Sequence, residues 1–398
     1  MTRSDERQLT VLGYGAYGLL GWSSVLLPSL IVPIQDAFGR GDSAFGLVYF
    51  FGALLYGLGA LGGGFLTERL GPRIVLTGAF VLLAASMLGG GALTIWVLFA
   101  ATVSIGKAAN GAIDAGFGAL FLQAFAERRG SALSLLHLCY SVGALLAPLL
   151  IGIALTIGVH WRVVFGVTLA ASLVALAGIR RLSWTEPAPD LPNVAAEPGE
   201  ITAAERSLRP FVFLALAMGL YEAQVVGITA WIVRYLEDAG IGIATAALSA
   251  FWVGVCISRF LAPWLTARTT STRLGLTMLT GTTILFTLAL LSSWSPLTLG
   301  LLVIAGFLSG PIYPLLIAIG GDLYPHRLGR LSGGMTAAAT IGALSYPPLI
   351  GVISTEWSLR AGLIGAALLG APAVIALAAA VRSHLAPGDV GSGSARQP

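Results

Sequence analysis

Residues 95–125 read IWVLFAATVSIGKAANGAIDAGFGALFLQAF, and Lys107 and Asp114 are the only charged residues in this stretch. A helix rises about 1.5 Å per residue, so roughly 20 apolar residues cross the hydrocarbon core of a bilayer, which is about 30 Å thick. The stretch is therefore predicted to be a membrane-spanning helix. It differs from a plain anchor because it carries two ionisable groups near its middle.

Eleven other stretches of the chain have a similar length and apolar character. With the first, the twelve predicted spans lie at about 10–36, 43–67, 73–93, 95–125, 131–158, 162–182, 209–236, 243–266, 274–293, 296–321, 329–355 and 359–382. Hydrophobic residues make up 56% of the 398 residues and charged residues only 10%, whereas an average soluble domain carries about 25% charge. This composition excludes a cytosolic enzyme, a disordered chain and a secreted disulfide scaffold. The expected fold class is an all-α membrane protein.

One long polar stretch, residues 183–208, interrupts the series of spans after the sixth. It contains four prolines, and polar sequence rich in proline is typical of a linker. The expected organisation is a six-helix bundle in residues 1–182, a cytoplasmic linker in 183–208, a second six-helix bundle in 209–385 and a flexible tail in 386–398.

The arginines are distributed unequally between the two sides of the predicted spans. If the first residues and the linker lie on one side, 17 arginines fall on or near that side, and the other side holds only Arg40, Arg162, Arg234 and Arg360. Cytoplasmic connections of membrane proteins are enriched in basic residues, so both termini are predicted to be cytoplasmic and the location to be a cell (inner) membrane. Because the basic residues form no cluster, no nucleic-acid partner is expected, and the chain is expected to be a monomer in the lipid bilayer.

The two predicted halves share an internal repeat. At an offset of 199 residues, Gly143–Gly152 aligns with Gly342–Gly351, and the same offset places Arg69 on Arg268. Two halves of the same topology are typical of membrane proteins whose repeats are related by an axis along the membrane normal. The sequence therefore predicts two bundles related by a pseudo-two-fold axis in that direction.

Between the second and third predicted spans, Gly64–Arg73 reads GFLTERLGPR. This stretch resembles the loop signature Gly-x-Leu-Ala-Asp-Arg-x-Gly-Arg-Arg/Lys of the major facilitator superfamily, with a Glu at the usual Asp position and Pro72 at a usual basic position. A shorter copy, Trp264–Arg268, lies at the equivalent place in the second half. The resemblance implies two bundles that alternate access to a central site. It also implies a charge latch that closes the cytoplasmic side, and its residues would be Glu68, Arg69, Arg73 and Arg268.

Other residues resemble a fucose-permease-like group: Gly111–Asp114 in span 4, His137 in span 5, Phe251, Trp252 and Arg259 in span 8, and Gly310–Pro314 in span 10. That group often has Tyr-x-Gly-x-Glu in span 7. Here the motif starts at Tyr221, but Val225 stands at the Glu position and Glu222 lies one turn earlier. The Pro-Glu-Ser-Pro-Arg signature of sugar porters is absent from the sequence, and Gly143–Gly152 resembles in part the antiporter signature of drug exporters.

Three ionisable side chains near the middle of predicted spans are the main candidates for chemistry: Lys107, Asp114 and Glu222. An ionised side chain at the centre of a membrane helix costs about 2.5–3.5 kcal/mol on insertion scales, so such residues usually face a cavity or a partner. Lys107, Asn110, Gly111 and Asp114 follow the i, i+3, i+4, i+7 spacing that places them on one helix face. Because Lys107 and Asp114 are two turns apart, about 10 Å along the axis, each is expected to have other partners.

The residue types suggest roles at a binding site. A carboxyl group in a low dielectric can exchange a proton near neutral pH, so Asp114 and Glu222 are the expected proton-coupling residues. Lys107, the only lysine in the sequence, is expected either to bind an anionic group of a solute or to be a desolvated amine that loses its proton easily. The expected substrate-binding residues are Lys107, Asn110, Tyr221, His137, Trp252, Tyr313, Trp231 and Tyr17.

No cofactor or metal is expected. Two Gly-x-Gly-x-x-Gly strings, Gly13–Gly18 and Gly57–Gly62, lie inside predicted spans and lack the strand that a dinucleotide site requires. Small residues at helical spacing instead let membrane helices approach closely. The two cysteines, Cys139 and Cys256, lack the spacing of metal ligands.

Together these features predict a secondary active transporter, not an enzyme, that moves a small polar or anionic solute by proton-coupled symport. One alternative is a proton-coupled antiporter that exports drug-like or amphipathic compounds. A second alternative is a membrane sensor that binds its ligand without moving it. The expected partners are a small-molecule solute, protons and the lipid bilayer.

Overall fold

The computed structural model describes residues 3–125, 129–182, 207–292, 295–324 and 328–385. The first half of the described chain contains α1 (Arg3–Ser29), α2 (Ile31–Phe38), α3 (Asp42–Leu70), α4 (Pro72–Ala92), α5 (Trp96–Ala124), α6 (Arg129–Thr156) and α7 (Arg162–Arg181). The second half contains α8 (Arg209–Tyr235), a 3₁₀-helix (Glu237–Ala239), α9 (Ile241–Thr266), α10 (Ser271–Leu291), α11 (Ser295–Ser309), α12 (Ile312–Leu323), α13 (Leu328–Glu356), α14 (Leu359–Leu368) and α15 (Gly370–Leu385).

The predicted fold class is confirmed. Twelve segments of the described chain are helical, long and apolar enough to cross a membrane. They form two six-helix bundles, one built from α1–α7 and the other from α8–α15. Almost all of the predicted linker (183–208) and the whole predicted tail (386–398) lie outside the described residues.

Three of the predicted spans are each built from two helices rather than one. α1 and α2 meet at Leu30, α11 and α12 meet at Gly310–Pro311, and α14 and α15 meet at Leu369. Proline explains these breaks, because it has no N–H to continue the helical hydrogen bonds and its ring clashes with the preceding turn. The prolines at or within three residues of the breaks are Pro28, Pro33, Pro311, Pro314 and Pro372.

The signature loop between α3 and α4 turns sharply at Gly71. This residue has a φ angle of 81°, which side chains with a Cβ rarely adopt. Pro72 follows as the first residue of α4, where its missing N–H leaves no helical hydrogen bond unmade. The Gly-Pro pair therefore ends one helix and starts the next within a single residue.

The two bundles repeat the same close helix contacts. α1 packs on α6 in the first bundle, and α8 packs on α13 in the second. A Cβ added to Gly143 of α6 would lie 1.9 Å from the carbonyl oxygen of Gly18, and one added to Gly342 of α13 would lie 2.0 Å from that of Gly219. Because an offset of 199 residues joins Gly143 to Gly342, the sequence repeat corresponds to the same backbone contact in both bundles.

The buried apolar core shows where the bundles meet. We call the side on which α1 begins and α15 ends the termini side, and the opposite side the far side. One cluster of buried side chains runs through the first bundle and continues across the far side into the second, through Phe45, Trp231 and Ile350. A separate cluster, with Leu214 and Met335, fills the termini-side half of the second bundle. The apolar core is therefore continuous between the bundles on the far side and divided between them on the termini side, and we call this divided region the cleft.

Candidate functional site

Asp114 on α5 connects three helices of the first bundle. The hydroxyl group of Tyr17 on α1 donates to its Oδ1 at 2.8 Å, and the hydroxyl group of Tyr56 on α3 donates to its Oδ2 at 2.7 Å. Hydrogen bonds to a charged acceptor are stronger than those between neutral groups. Each oxygen of the carboxylate therefore accepts a hydrogen bond from one phenol, and the negative charge strengthens both bonds.

Lys107 is bound by backbone rather than by a carboxylate. Its Nζ donates to the carbonyl oxygens of Ser23 and Ser24 on α1, each at 3.1 Å. Asn110, one turn further along α5, is 3% exposed, and its Oδ1 has no hydrogen-bond partner in the described part of the chain. A small cavity, lined by Ser23, Lys107 and Asn110 among others, has room for roughly one water molecule.

α1 and α5 are thus joined at two points with matching spacing. Lys107 and Asp114 are seven residues apart on α5, and their partners Ser24 and Tyr17 are seven residues apart on α1. Seven residues are about two helical turns, so the two antiparallel helices stay in register. Lys107 and Asp114 therefore have separate partners, as expected: Lys107 binds backbone oxygens of α1, and Asp114 binds Tyr17 of α1 and Tyr56 of α3.

Glu222 on α8 lies across the cleft from this group. Its carboxylate makes no hydrogen bond or ion pair within the described residues, and Arg259 of α9 lies close enough to interact with it electrostatically. Tyr140 and Tyr313 each interact electrostatically with both Glu222 and Asp114. Two tyrosines, one from each bundle, therefore lie near both carboxylates.

Arg259 belongs to the fucose-permease-like resemblance, but it was not among the residues expected to bind solute or to couple protons. Its guanidinium donates to the backbone oxygen of His137 at 2.9 Å and to Oγ of Ser141, both on α6 of the other bundle. It is one of the 17 arginines on or near the termini side, and basic residues near the ends of spans are expected to mark orientation. The signal that could have found it was its position inside an otherwise apolar helix, the same signal that identified Glu222.

The aromatic candidates fall into two groups. His137 is exposed and packs edge-on against Tyr17, with ring centroids 5.7 Å apart. Trp252 packs against Tyr140 of the first bundle, with centroids 5.8 Å apart, and its buried indole N–H has no partner in the described chain. The structure therefore brings these residues to the cleft near Asp114 and Glu222.

The remaining candidates on the second bundle are held by its own groups. The Tyr221 hydroxyl donates to the backbone oxygen of Ser309 at 2.8 Å, and the Tyr313 hydroxyl lies 3.3 Å from Oγ1 of Thr336. Trp231 lies apart from both carboxylates, because it is fully buried in the far-side core and donates to the backbone oxygen of Pro347 at 2.9 Å.

Polar contacts close the far side. Oδ1 of Asp42, at the start of α3, accepts from Nε2 of Gln35 at 2.7 Å and from Nε of Arg234 on α8 at 3.1 Å. Its Oδ2 accepts from Oγ of Ser354 on α13. Nearby, the Tyr49 hydroxyl donates across the bundles to the backbone oxygen of Ala230 at 2.9 Å.

The residues expected to form a latch on the termini side are exposed, and none of their described contacts crosses between the bundles. The guanidinium of Arg69 lies over the ring of Phe65 on its own helix, at 4.1 Å. Arg73 donates to the backbone oxygen of Arg180 on α7 at 2.6 Å. Arg268 stacks on Trp264 at 3.8 Å, and Glu68 is exposed, with no hydrogen bond or ion pair to another described residue.

Twelve spans in two related bundles, with ionisable side chains facing a cleft between them, define the architecture of a secondary transporter. The chain belongs to the Major Facilitator Superfamily, whose family model matches residues 13–292. It is therefore a multi-pass membrane protein of a transporter family.

Three known proteins illustrate this similarity. The structure of a bacterial homolog of the human lysosomal transporter Spinster, inward-facing and unoccupied, matches with a TM-score of 0.75 at 13% identity, over 97% of this chain and 98% of that one. The E. coli fucose:proton symporter FucP matches with a TM-score of 0.62 at 18% identity, over 93% of this chain and 97% of that one. At these identities the likeness is one of fold.

A sequence relative matches over a shorter segment. The sodium-dependent glucose transporter 1A of Mus musculus is 27% identical over 141 residues, which are 35% of this chain and 33% of that protein. The match thus spans about a third of the length of this curated relative.

Proposed function

We propose that the protein is a secondary active transporter that moves a small polar or anionic solute by alternating access and proton-coupled symport. The observation that carries this proposal is the placement of Asp114 and Glu222, one from each bundle, near the same two tyrosines at the cleft. The name of one relative refers to sodium and glucose, and that of another refers to fucose and protons. Both names support a polar solute, and the second supports a proton-driven cycle.

Asp114 and Glu222 are the proposed proton carriers because their surroundings differ. Asp114 is held as an acceptor by two phenols, so uptake of a proton would weaken both bonds and loosen α1 and α3 from α5. Glu222 has no such donors and faces Arg259. A proton that moves between these sites would therefore change the contacts within one bundle and the charge balance between the two.

The solute is proposed to bind between the carboxylates. The third N–H of Lys107 is not used by Ser23 or Ser24, and Trp252 has an unpartnered indole N–H. These donors suit hydroxyl or carboxylate oxygens. The other proposed contacts are Asn110, His137, Tyr17, Tyr221, Tyr313 and, when the far side is open, Trp231.

The moving bodies are proposed to be residues 1–182 and 209–385, joined by a linker at 183–208. The termini side is proposed to be cytoplasmic, in a cell (inner) membrane, with the chain acting as a monomer and without enzymatic activity. In the opposite state of the cycle, Glu68, Arg69, Arg73 and Arg268 would close the termini side while the contacts of Asp42 separate.

The test is solute-driven proton movement in proteoliposomes, with L-fucose and D-glucose as neutral probes and D-glucuronate as an anionic one. Wild type should acidify the lumen on addition of a transported probe, and Asp114→Asn and Glu222→Gln should abolish this response while remaining monodisperse. Asp322→Asn, at an exposed acid, is the matched control and should behave as wild type. Uptake that stays proton-coupled in both site variants would refute the assignment, and alkalinisation would indicate antiport instead.

A further inference from the structure

Pro28 in α1 leaves a backbone oxygen of this helix free to face a site inside the first bundle. Pro28 has no N–H, so the carbonyl oxygen of Ser24, four residues earlier, lacks its usual helical donor. The neighbouring oxygen of Ser23 has a second lone pair available. Backbone oxygens at broken membrane helices are the groups that coordinate monovalent cations in transporters.

A positive charge already occupies this place. Nζ of Lys107 lies 3.1 Å from both oxygens. One turn away, the buried Oδ1 of Asn110 has no partner and lines the same small cavity as Ser23 and Lys107. The group of oxygens therefore comprises two backbone carbonyls and one side-chain amide, with no carboxylate on Lys107.

We propose that this is a monovalent-cation site in which the Lys107 ammonium is a tethered substitute for a free ion such as Na⁺. The ammonium supplies the charge that the exposed carbonyls require, so a bound ion is not needed to hold α1 against α5. The site differs from the proposed proton carriers, because neither Asp114 nor Glu222 contacts Lys107.

A neutral side chain of the second bundle also binds a backbone oxygen beside a helix break. Gln224 of α8 donates from Nε2 to the backbone oxygen of Ala367 at 2.6 Å, beside the junction of α14 and α15. This uncharged donor binds one carbonyl, and it also lies 3.3 Å from Oγ1 of Thr283. Gln224 is therefore the matched control for an effect that requires a cation.

The test measures thermal unfolding of the purified full chain in NaCl, KCl or choline chloride. Lys107→Ala removes the ammonium and leaves space, so its unfolding temperature should rise by about 2–4 °C in saturating NaCl relative to choline chloride. Wild type, Lys107→Met (similar volume, no charge) and Gln224→Ala should show no such difference. Adding Asn110→Ala to Lys107→Ala should remove the Na⁺ response.

The readout does not depend on transport, so it can fail independently of the proposed function. Equal unfolding temperatures of Lys107→Ala in all three salts would overturn the inference, as would an equal Na⁺ response in Lys107→Met. If Lys107→Ala is folded only when purified in NaCl, the inference is supported. If no salt yields folded Lys107→Ala while Lys107→Met is folded, the inference is overturned.

Discussion

Asp42 of the first bundle and Arg234 of the second form an ion pair on the far side, with Nε and Oδ1 3.1 Å apart. They are separated by 192 residues in sequence. Gln35 and Ser354 donate to the same carboxylate, so one acidic side chain connects α2, α3, α8 and α13. In an alternating-access cycle, these contacts must separate before the far side can open.

Asp42→Asn is therefore expected to populate far-side-open states. An exposed ion pair contributes only about 0.2–1 kcal/mol, but this carboxylate is 10% exposed and accepts additional hydrogen bonds. Spin labels at the exposed Ser43 and Thr355, with both native cysteines replaced, should give longer distances in the variant. Arg234 also pairs with Glu237 of its own bundle, so Glu237→Gln should leave the distances unchanged. No shift in Asp42→Asn would show that the contacts of Asp42 are not needed to close this side.

Removing either phenol from Asp114 should loosen α1 or α3 from α5. A hydrogen bond to a charged group contributes about 1.5–3 kcal/mol, and one between neutral groups about 0.5–1.5 kcal/mol. Tyr17→Phe and Tyr56→Phe should therefore each lower the temperature of thermal unfolding by several degrees. Tyr235→Phe, which removes a hydroxyl bonded to the uncharged Leu290 oxygen at 2.9 Å, is the control and should cause a smaller fall. Unfolding temperatures equal to that of wild type in both site variants would show that Asp114 does not hold these helices together.

The paired glycines of the repeat predict matched losses of stability. Gly143→Ala and Gly342→Ala each place a methyl group about 2 Å from a backbone oxygen of the facing helix, and overpacking of this kind costs about 1–3 kcal/mol. Thermal unfolding should show a clear fall for both. Gly62→Ala meets nothing within 4 Å and should be neutral. Loss of stability at only one of the pair would argue against equivalent contacts in the two bundles.

Arg259 should be required for transport because it spans the bundles beside Glu222. Arg259→Gln is expected to lower uptake at least about tenfold, since a lost charged hydrogen bond of roughly 1.5 kcal/mol or more has that effect on an equilibrium. Arg259→Lys should retain part of the activity, because it keeps the charge but not the two-pronged geometry. Arg360→Gln, at an exposed arginine with one long contact to the Leu291 oxygen, is the control. Full activity in Arg259→Gln would show that Arg259 is not required for transport and affects only the orientation of the chain in the membrane.

The sequence predicted the twelve spans well because each depends on local apolar length alone. It did not predict the broken spans, although Pro28 and Pro372 were visible, because a proline in a membrane helix is compatible with either a kink or a break. The repeat was readable because Gly143 and Gly342 are constrained by the same close backbone contact.

The site was only partly predictable because its contacts are long-range. The face shared by Lys107 and Asp114 followed from helical spacing, whereas their partners on α1 depend on how two helices pack. Arg259 was passed over because positive charge near a helix end normally reports orientation. The pairing of Asp42 with Arg234 has no local sequence signal at all.

The single lysine of the chain has a practical consequence for chemical labelling. Lys107 provides the only side-chain amine, and both hydrogen bonds of its Nζ are to the backbone of α1. Acylating dyes and aldehyde cross-linkers can react there only after those bonds break. Modification at Lys107, distinguished from the α-amine by peptide mapping, would therefore report the separation of α1 from α5 without the background that surface lysines cause in other membrane proteins.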